Sequence, residues 1–202
     1  MATFHSSRRE VRVKLVYYGP GLSGKTTNLV RLHEVYPDTQ RGKLVKLDTD
    51  QERTLFFDYF PASLGSLRGF NIAVDFFTVP GQSYYNVTRR TVLAGADGVV
   101  FVADSDPRRE EANVVAHANF LENLGRAGLD PGQIAIVYQW NKRDLPNALP
   151  VRTLQAQLNR GGAPAVEASA FRNEGVRETE RLVLSTTLKL LRNELSQYED
   201  AK

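Results

Sequence analysis

The stretch GPGLSGKTT, residues 19–27, decides the fold of this chain. It follows VRVKLVYYG at residues 11–19, which alternates and then becomes continuously apolar, as a strand entering a core does. After it, apolar residues recur at helical spacing as far as Pro37, which predicts a helix over 24–36. A strand, a turn with the pattern G-x-x-x-x-G-K-[ST] and a helix together form a phosphate-binding loop. We therefore expect this turn to bind a phosphate chain.

Each residue type in the loop has a chemical role in anion binding. Glycines let backbone amides approach a phosphate closely, and the N-terminal end of the helix carries partial positive charge. Lys25 is expected to neutralise charge on the β and γ phosphates, and the Thr26 hydroxyl to bind Mg²⁺. The residues predicted to contact the nucleotide here are Gly21, Leu22, Ser23, Gly24, Lys25, Thr26 and Thr27. The alternative is an ordinary glycine-rich turn with an exposed lysine.

Strand and helix signals alternate along the rest of the chain. Apolar and β-branched runs predict strands at 42–50, 54–61, 70–79, 98–105, 133–141 and 163–169. Helical spacing predicts helices at 108–126, at 149–159 and around 184–195. This alternation predicts a three-layer α/β fold of the P-loop NTPase class, with a mostly parallel sheet, one antiparallel edge strand and helices on both faces. The predicted domain spans 11–198, after a loose lead-in over 1–10 and before a short tail over 199–202.

Composition limits the classes of function that the chain can have. A length of 202 residues suits one domain with one sizeable core. The formal net charge of +3 is small and scattered, so nucleic acid is not expected as a partner. There is no cysteine, which excludes disulfides, thiolate metal sites and lipid anchors on cysteine, and N-myristoylation would need glycine instead of Ala2. Neither a secretory signal nor an apolar run of roughly 18 residues is visible, so we expect a cytoplasmic protein without a transmembrane segment.

A second motif, NKRD at residues 141–144, indicates which base is bound. The Asp144 carboxylate can accept two hydrogen bonds, from the N1–H and N2–H₂ donors of guanine, whereas adenine offers no matching donor pair. Asn141 is expected to connect the base site to the phosphate loop, and the stem of Lys142 to cover a face of the ring. Four polar residues in a turn are a weak signal alone, but these follow a phosphate loop and end a later predicted strand. The two motifs together predict a guanine nucleotide, GTP or GDP.

The segment ASA, residues 168–170, follows the last predicted strand. Here the Ser169 hydroxyl and the Ala170 amide could contact the guanine carbonyl. A plain exit from a strand into a loop is the alternative, and these residues alone do not decide between the two.

Beyond these motifs, the chain resembles the bacterial MglA family, small Ras-like GTPases that set cell polarity and motility. The resemblance is carried, in collinear order, by VYYGPGLSGKTTNL (16–29), ERTLFFDYFP (52–61), LRGF (67–70), TVPGQ (78–82), DGVVFVADS (97–105) and NKRDLPNA (141–148). The run around the phosphate loop and TLFFD are its specific parts, whereas the C-terminal third follows the family only loosely. The resemblance implies a Ras-like G domain that binds GTP or GDP together with Mg²⁺.

The resemblance also implies roles for residues outside the two motifs. Thr54 corresponds to the threonine of switch I that reaches Mg²⁺ and the γ phosphate. Arg53 resembles the family's intrinsic arginine finger, and Gln82 resembles the glutamine that orients the attacking water. Thr78 and Gly81 mark the start of switch II. The implied partners are a Roadblock-type homodimer that activates hydrolysis and effectors that bind switch I and switch II, which can recruit the protein to a cell pole.

Thr78 occupies the position at which nucleotide hydrolases usually carry an aspartate that helps to hold Mg²⁺. A hydroxyl can accept a hydrogen bond from a metal-bound water, so Thr26 and Thr54 as direct ligands, with Thr78 acting through a water, are compatible with Mg²⁺. Asp75 cannot replace the missing acid, because three residues along a strand place it on the opposite face and roughly 10 Å back. Asp104 ends the next strand, and we expect it to act either as an outer-shell acid at the metal or as a cap of the following helix.

Three functions are compatible with these motifs. The first is a GTP-hydrolysing molecular switch whose GTP state recruits effectors. The second is a nucleotide-binding scaffold with little or no hydrolysis, which Thr78 suggests and which Arg53 and Gln82 oppose. The third is an ATP-dependent kinase or ATPase, against which the guanine-selecting Asp144 argues. Of these we expect the GTPase, slow alone and stimulated by a partner.

Overall fold

A computed structural model describes residues 3–5, 9–47, 57–67, 69–81 and 85–200 of the chain. Strands and helices alternate along it for most of its length. In chain order the elements are β1 (Thr3–His5), β2 (Glu10–Tyr18), α1 (Lys25–Val35), β3 (Val45–Leu47), β4 (Phe57–Leu67), β5 (Phe70–Thr78), α2 (Asn86–Leu93), β6 (Gly98–Asp104), α3 (Glu110–Arg126), β7 (Ala135–Asn141), α4 (Val151–Leu158), β8 (Ala165–Glu167) and α5 (Val176–Asp200). None of the helices within these ranges combines the length and the apolar composition that a membrane span requires.

The strands form one mixed sheet in the order β3-β4-β5-β2-β6-β7-β8, and β1 pairs with the start of β2. The pairs from β5 through β2, β6 and β7 to β8 are parallel. The antiparallel part lies towards one edge, where β4 runs opposite to both β3 and β5. The predicted fold class, a Ras-like P-loop domain with a mostly parallel sheet and an antiparallel edge, is confirmed.

Two hydrophobic clusters, one on each face of the sheet, hold the helices in place. On one face α1 and α5 contribute residues such as Leu29 and Val183. On the other face α3 and α4 contribute residues such as Phe120 and Leu154. All seven residues of β6 are buried, because this central strand is covered on both faces, and its run of apolar residues has the composition of a buried parallel strand.

Several parts of the chain differ from the sequence-based prediction. α2 lies where no helix was predicted, β3 covers Val45–Leu47 of the described residues, and α5 begins at Val176. Thr3–His5, inside the expected loose lead-in, forms β1 and pairs antiparallel with β2. β4 continues to Leu67, whereas the predicted strand ends at Pro61. The pairing of β4 with β5 shifts register between Ser63 and Ser66. This irregularity lets the strand continue past Gly65, a residue type that weakens a regular strand.

The parallel strands bring the candidate functional residues together. β2, β5, β6 and β7 all run in the same direction, so their carboxyl ends lie at one edge of the sheet. The phosphate loop, Thr78, Asp104 and Asn141 follow or end these four strands. Ligands of open α/β sheets bind at this edge.

Candidate functional site

The loop between β2 and α1 has a backbone that requires glycine at two positions. Gly24 precedes the first turn of α1 in a left-handed conformation, with φ of 98°. A Cβ on Gly24 would overlap the Asn141 side-chain nitrogen, and one on Gly19 would overlap the Val102 carbonyl oxygen. The loop therefore passes too close to its neighbours for any larger residue at these two positions, as a phosphate-binding loop requires.

Lys25 is buried at the first turn of α1, with its ammonium group directed at the loop. Its Nζ donates to the carbonyl oxygens of Gly19, at 3.0 Å, and Pro20, at 2.6 Å. Burial, together with the positive charges of Arg89 and Arg109, lowers the pKa of Lys25 to about 7. A negatively charged ligand would relieve both effects, so the surroundings of Lys25 favour an anion.

The loop also presents polar groups that are available to a ligand. The Ser23 hydroxyl is buried and has no hydrogen-bond partner among the residues that the structure describes. Buried hydroxyls are normally paired, so this one is a candidate ligand contact. Leu22 is 83% exposed and has a left-handed φ of 66°. Thr27 follows Thr26 in the first turn of α1.

Asp58 places a carboxylate next to Thr78, the position at which nucleotide hydrolases usually carry an aspartate. The Thr26 hydroxyl donates to Asp58 Oδ2 at 2.6 Å, and the Thr78 hydroxyl donates to the same oxygen at 3.0 Å. The Asp58 amide in turn donates to Thr78 Oγ1 at 2.8 Å. The neighbouring strand β4 therefore provides the carboxylate that the end of β5 lacks. This carboxylate contacts Thr26, the side chain expected to bind Mg²⁺.

Sequence reasoning missed Asp58 because it precedes Thr78 by a whole strand and turn. The antiparallel β4–β5 register pairs Tyr59 with Phe77. The residue before Tyr59, Asp58, therefore lies opposite the residue after Phe77, Thr78. The available signal is the charged residue itself, since Asp58 is the acid among the aromatic and apolar residues of TLFFDYF.

The two acids that the sequence analysis considered lie elsewhere. Asp75 forms an ion pair with Arg12, with 2.9 Å between Nη1 and Oδ1, as expected for a residue that cannot reach the metal site. The fully buried Asp104 accepts from Lys142 Nζ at 2.6 Å and from the Asp106 amide at 3.0 Å. Asp104 therefore supports the turn that carries the second motif. The turn before α3 is capped by Asp106, which accepts from the Arg108 amide, so the expectation that Asp104 caps a helix is wrong. Its outer-shell role at the metal stays a prediction.

Asn141, at the end of β7, joins the phosphate loop to the loop after β8. Its amide nitrogen donates to the Ser23 carbonyl oxygen at 2.7 Å, and its Oδ1 accepts from the Ala170 amide at 2.9 Å. Asp144 accepts a hydrogen bond from the Ser169 hydroxyl at 2.6 Å. Ser169 and Ala170 thus position the side chains of Asp144 and Asn141. Their own contact with a base stays a prediction.

Lys142 adopts a left-handed backbone conformation, with φ of 67°. Its side chain is held by the ion pair with Asp104, with 2.6 Å between Nζ and Oδ2. A side chain that is anchored at its charged end presents its methylene groups as an ordered apolar surface. This arrangement is compatible with the expected covering of a ring face.

The phosphate side of the site is a cavity of about 290 Å³. Its lining includes Gly21, Leu22, Lys25, Thr26, Asp58, Thr78 and Gly81. It therefore gathers four of the predicted phosphate contacts, among them the predicted metal ligand Thr26, and the start of switch II in one place. The predicted residues Arg53, Thr54 and Gln82 lie outside the described part of the chain.

The donor set around this cavity fits Mg²⁺ when phosphate oxygens complete it. Thr26, Asp58 and Thr78 offer one carboxylate and two hydroxyls, all oxygen donors. Within the described ranges, no group of three or more His, Cys, Asp or Glu side chains is placed to hold a metal ion by itself. Mg²⁺ is commonly bound by one or two carboxylates together with substrate phosphates, so these residues suit it.

Comparison with known proteins gave one match of nearly full length. No family profile matches the chain. The curated protein "Mutual gliding-motility protein MglA" of Myxococcus xanthus (strain DK1622) is 45% identical over 192 residues, which cover 95% of this chain and 98% of that protein. The similarity therefore extends over the whole domain, including both motifs and the segments around them.

Proposed function

The chain belongs to the MglA family, and on that premise we propose that it is a small GTPase: a molecular switch that binds GTP and GDP with Mg²⁺ and hydrolyses GTP. The observation that carries this proposal is the position of Asn141, which hydrogen-bonds to both the phosphate loop and the loop of Ser169 and Ala170. The phosphate-binding and base-binding parts are thereby one rigid unit. The name of the Myxococcus relative supports a process of gliding motility, and cell polarity is proposed from the family resemblance.

Guanine selection is proposed for Asp144. The Ser169 hydroxyl donates to one of its carboxylate oxygens, which orients the carboxylate and leaves acceptor capacity for the two donors on the edge of guanine. Adenine would leave that capacity unpaired, and a buried group without its partner makes binding unfavourable by several powers of ten. This supports a GTPase over an ATP-dependent kinase or ATPase.

We assign Mg²⁺ binding to the Thr26 hydroxyl, with Asp58 as the acid of the site and Thr78 as a hydroxyl that acts through a water. Thr54, the switch I threonine of the family, remains the second predicted direct ligand. When bound, Mg²⁺ neutralises charge on the phosphate oxygens. Because Asp58 brings a negative charge next to Thr26 and Thr78, the absence of aspartate at position 78 no longer favours a scaffold that binds nucleotide without hydrolysis.

The proposed hydrolytic residues are Arg53 and Gln82. The family resemblance supports Gln82 as the residue that orients the attacking water, and in the sequence it directly follows Gly81, which lines the phosphate cavity. Arg53 lies in the segment between β3 and β4, and β4 brings Asp58 into the same cavity. An arginine that stabilises charge on the transferring phosphoryl group accelerates hydrolysis roughly 10³- to 10⁵-fold.

The proposed partners are a Roadblock-type homodimer that stimulates hydrolysis and effectors that bind the switch segments of the GTP state. Both proposals come from the family resemblance. A cytoplasmic location, with recruitment to a cell pole by partners, stays a prediction.

The test is a nucleotide-binding and hydrolysis series on the full chain. Calorimetry with Mg²⁺ is expected to give micromolar or tighter binding of GDP and GTP and no comparable binding of ADP and ATP. Phosphate release from GTP is expected to be slow alone and faster with a Roadblock-type protein from the same genome. Absence of GDP and GTP binding would refute the proposed function, and binding without any phosphate release would support the scaffold instead.

A further inference from the structure

The phosphate loop and the start of switch II touch each other through two glycines. A Cβ on Gly81 would overlap Gly21 Cα and would lie 2.7 Å from the Gly21 nitrogen. The two backbones are therefore in van der Waals contact, which a side chain at position 81 would prevent. This contact lies at the phosphate cavity, whose lining both glycines share.

A buried arginine holds the switch II side of this contact. Arg89, in α2, is only 2% exposed. Its Nε donates to the Pro80 carbonyl oxygen at 2.9 Å, and its Nη2 donates to the Gly81 carbonyl oxygen at 2.7 Å. One guanidinium group thus fixes two successive peptides, with donors that the planar fork of arginine holds in a fixed geometry.

Arg89 is itself held in place by the core behind it. Its Nη1 donates to Asn119 Oδ1 at 2.6 Å, and the Tyr18 hydroxyl donates to the same oxygen at 2.6 Å. The guanidinium carbon lies 5.5 Å from the centre of the Tyr18 ring, which adds a cation–π contact. α3 and β2 therefore preorganise Arg89, so its position does not depend on the peptides that it holds.

A second arginine holds the phosphate-loop side of the contact between Gly21 and Gly81. Arg109, the residue before α3, donates from Nη2 to the Gly21 carbonyl oxygen at 2.8 Å. Arg89, in α2, thus holds the Gly81 carbonyl, and Arg109, just before α3, holds the Gly21 carbonyl.

We propose that Arg89 is a specificity-determining residue, which holds Gly81 against Gly21 and so weakens the binding of GTP relative to GDP. This rests on the proposed function. A terminal phosphoryl group bound by amides of both segments needs roughly 3 Å between its oxygens and each N–H donor. Two backbones already in contact leave no room between their peptides, so a third phosphate held by both segments requires Gly81 to move away from Gly21. GDP ends at the β phosphate and has no such requirement.

The size of the effect follows from linkage. A ligand that binds only the separated arrangement has its affinity reduced by the fraction of protein in that arrangement. Weakening the hydrogen bonds of Arg89 raises this fraction and improves GTP binding, while GDP, which is compatible with both arrangements, is little affected. We expect the ratio of GTP to GDP affinity to rise about tenfold or more, the equivalent of about 1.4 kcal/mol.

The experiment compares variants of the full chain by calorimetry with Mg²⁺, GDP and a non-hydrolysable GTP analogue. Arg89→Lys keeps the charge but loses the fork, and Asn119→Ala leaves Arg89 intact but removes its support. Both are expected to raise the affinity ratio, Arg89→Lys more strongly. Arg90→Gln, the adjacent arginine of the same helix, is the matched control and should keep the wild-type ratio.

The outcomes separate this inference from the proposed function. An unchanged or lowered ratio in folded Arg89→Lys and Asn119→Ala, or an equal loss of affinity for both nucleotides, overturns the role of Arg89 and leaves the GTPase assignment intact. If Arg89→Lys does not fold, the ratio measured for Asn119→Ala decides. Failure of the wild-type chain to bind either nucleotide refutes the proposed function, and this inference with it.

Discussion

Asp58 and Thr78 face each other across the β4–β5 pair, joined by one hydrogen bond in each direction. The Asp58 amide donates to the threonine hydroxyl, and that hydroxyl donates to the Asp58 carboxylate. The carboxylate also accepts from Thr26, the first predicted ligand of Mg²⁺. We therefore expect the acid and the hydroxyl to act as a pair in place of the single aspartate that is usual at the end of β5.

Replacing Asp58 should weaken Mg²⁺ binding selectively. In Asp58→Asn the shape is kept but the negative charge is lost, so we expect about a 10- to 100-fold loss in Mg²⁺ affinity of the nucleotide complex. Titration of Mg²⁺ into the GDP complex, followed by the rate of GDP release, measures it. Asp75→Asn is the control, because that acid is paired with Arg12 on another part of the sheet. Equal Mg²⁺ dependence in wild type and Asp58→Asn would exclude this role.

Asp144→Asn should change the base preference. The amide offers one acceptor and one donor instead of two acceptors, so GDP affinity is expected to fall about 100-fold or more. Xanthosine diphosphate, which has a carbonyl oxygen at the position of the guanine amino group, should bind the variant better than the wild type. Competition binding with both diphosphates measures this, with Asp130→Asn as a control on a surface loop. A variant that still prefers GDP would contradict the assignment.

Gly24→Ala should cost both stability and nucleotide binding. Gly24 is left-handed, which costs other residues about 1–2 kcal/mol, and the added methyl group would also overlap Asn141. Urea unfolding should show a loss of at least this size, and GDP binding should weaken because Asn141 is displaced. Gly161→Ala is the matched control, since a Cβ there has open space around it. Similar unfolding free energies for the two variants would show that the loop tolerates a side chain.

Arg53→Ala and Gln82→Ala should separate binding from hydrolysis. Each variant is expected to bind GTP normally and to lose the turnover stimulated by a Roadblock-type partner, about 10³-fold or more for Arg53. Single-turnover phosphate release with and without the partner measures this. Arg108→Ala, an exposed arginine that pairs with Asp106, serves as the control. Unchanged single-turnover rates in both variants would rule out these roles.

Stability should fall with acid because of His117. Burial lowers the pKa of His117 in the folded protein, and its Nε2 lies 2.8 Å from the Tyr138 hydroxyl oxygen. The unfolded chain, with the ordinary histidine pKa near 6.5, therefore binds more protons below that pH, and protonation favours unfolding. The unfolding free energy from urea titrations should decrease as the pH falls below about 6.5, and less steeply in His117→Gln. Parallel curves for the two proteins would contradict this prediction.

Much of the nucleotide site was predictable because its information is local. The phosphate loop lies between a strand and a helix whose periodicities are visible over about ten residues each, and α1 begins at Lys25, next to the predicted start at residue 24. The NKRD motif ends a strand that its apolar run already indicated, and β7 does end at Asn141. Strands that run parallel bring such ends together, so the convergence of the two motifs followed from the alternation of elements alone.

Pairing between distant segments could not be obtained in this way. The amino-acid order shows that Asp58, Asp75 and Asp104 are acids near strand ends, but it does not show which one faces Thr78. That depends on the register of β4 against β5, which is set by the packing of aromatic side chains and an irregularity near Ser66. Likewise, Arg89 belongs to a segment without a recognisable motif, and its hold on Gly81 exists because α2, α3 and β2 pack around it. Chemistry carried by neighbouring residues is written in the chain, whereas chemistry shared between remote ones depends on how the core packs.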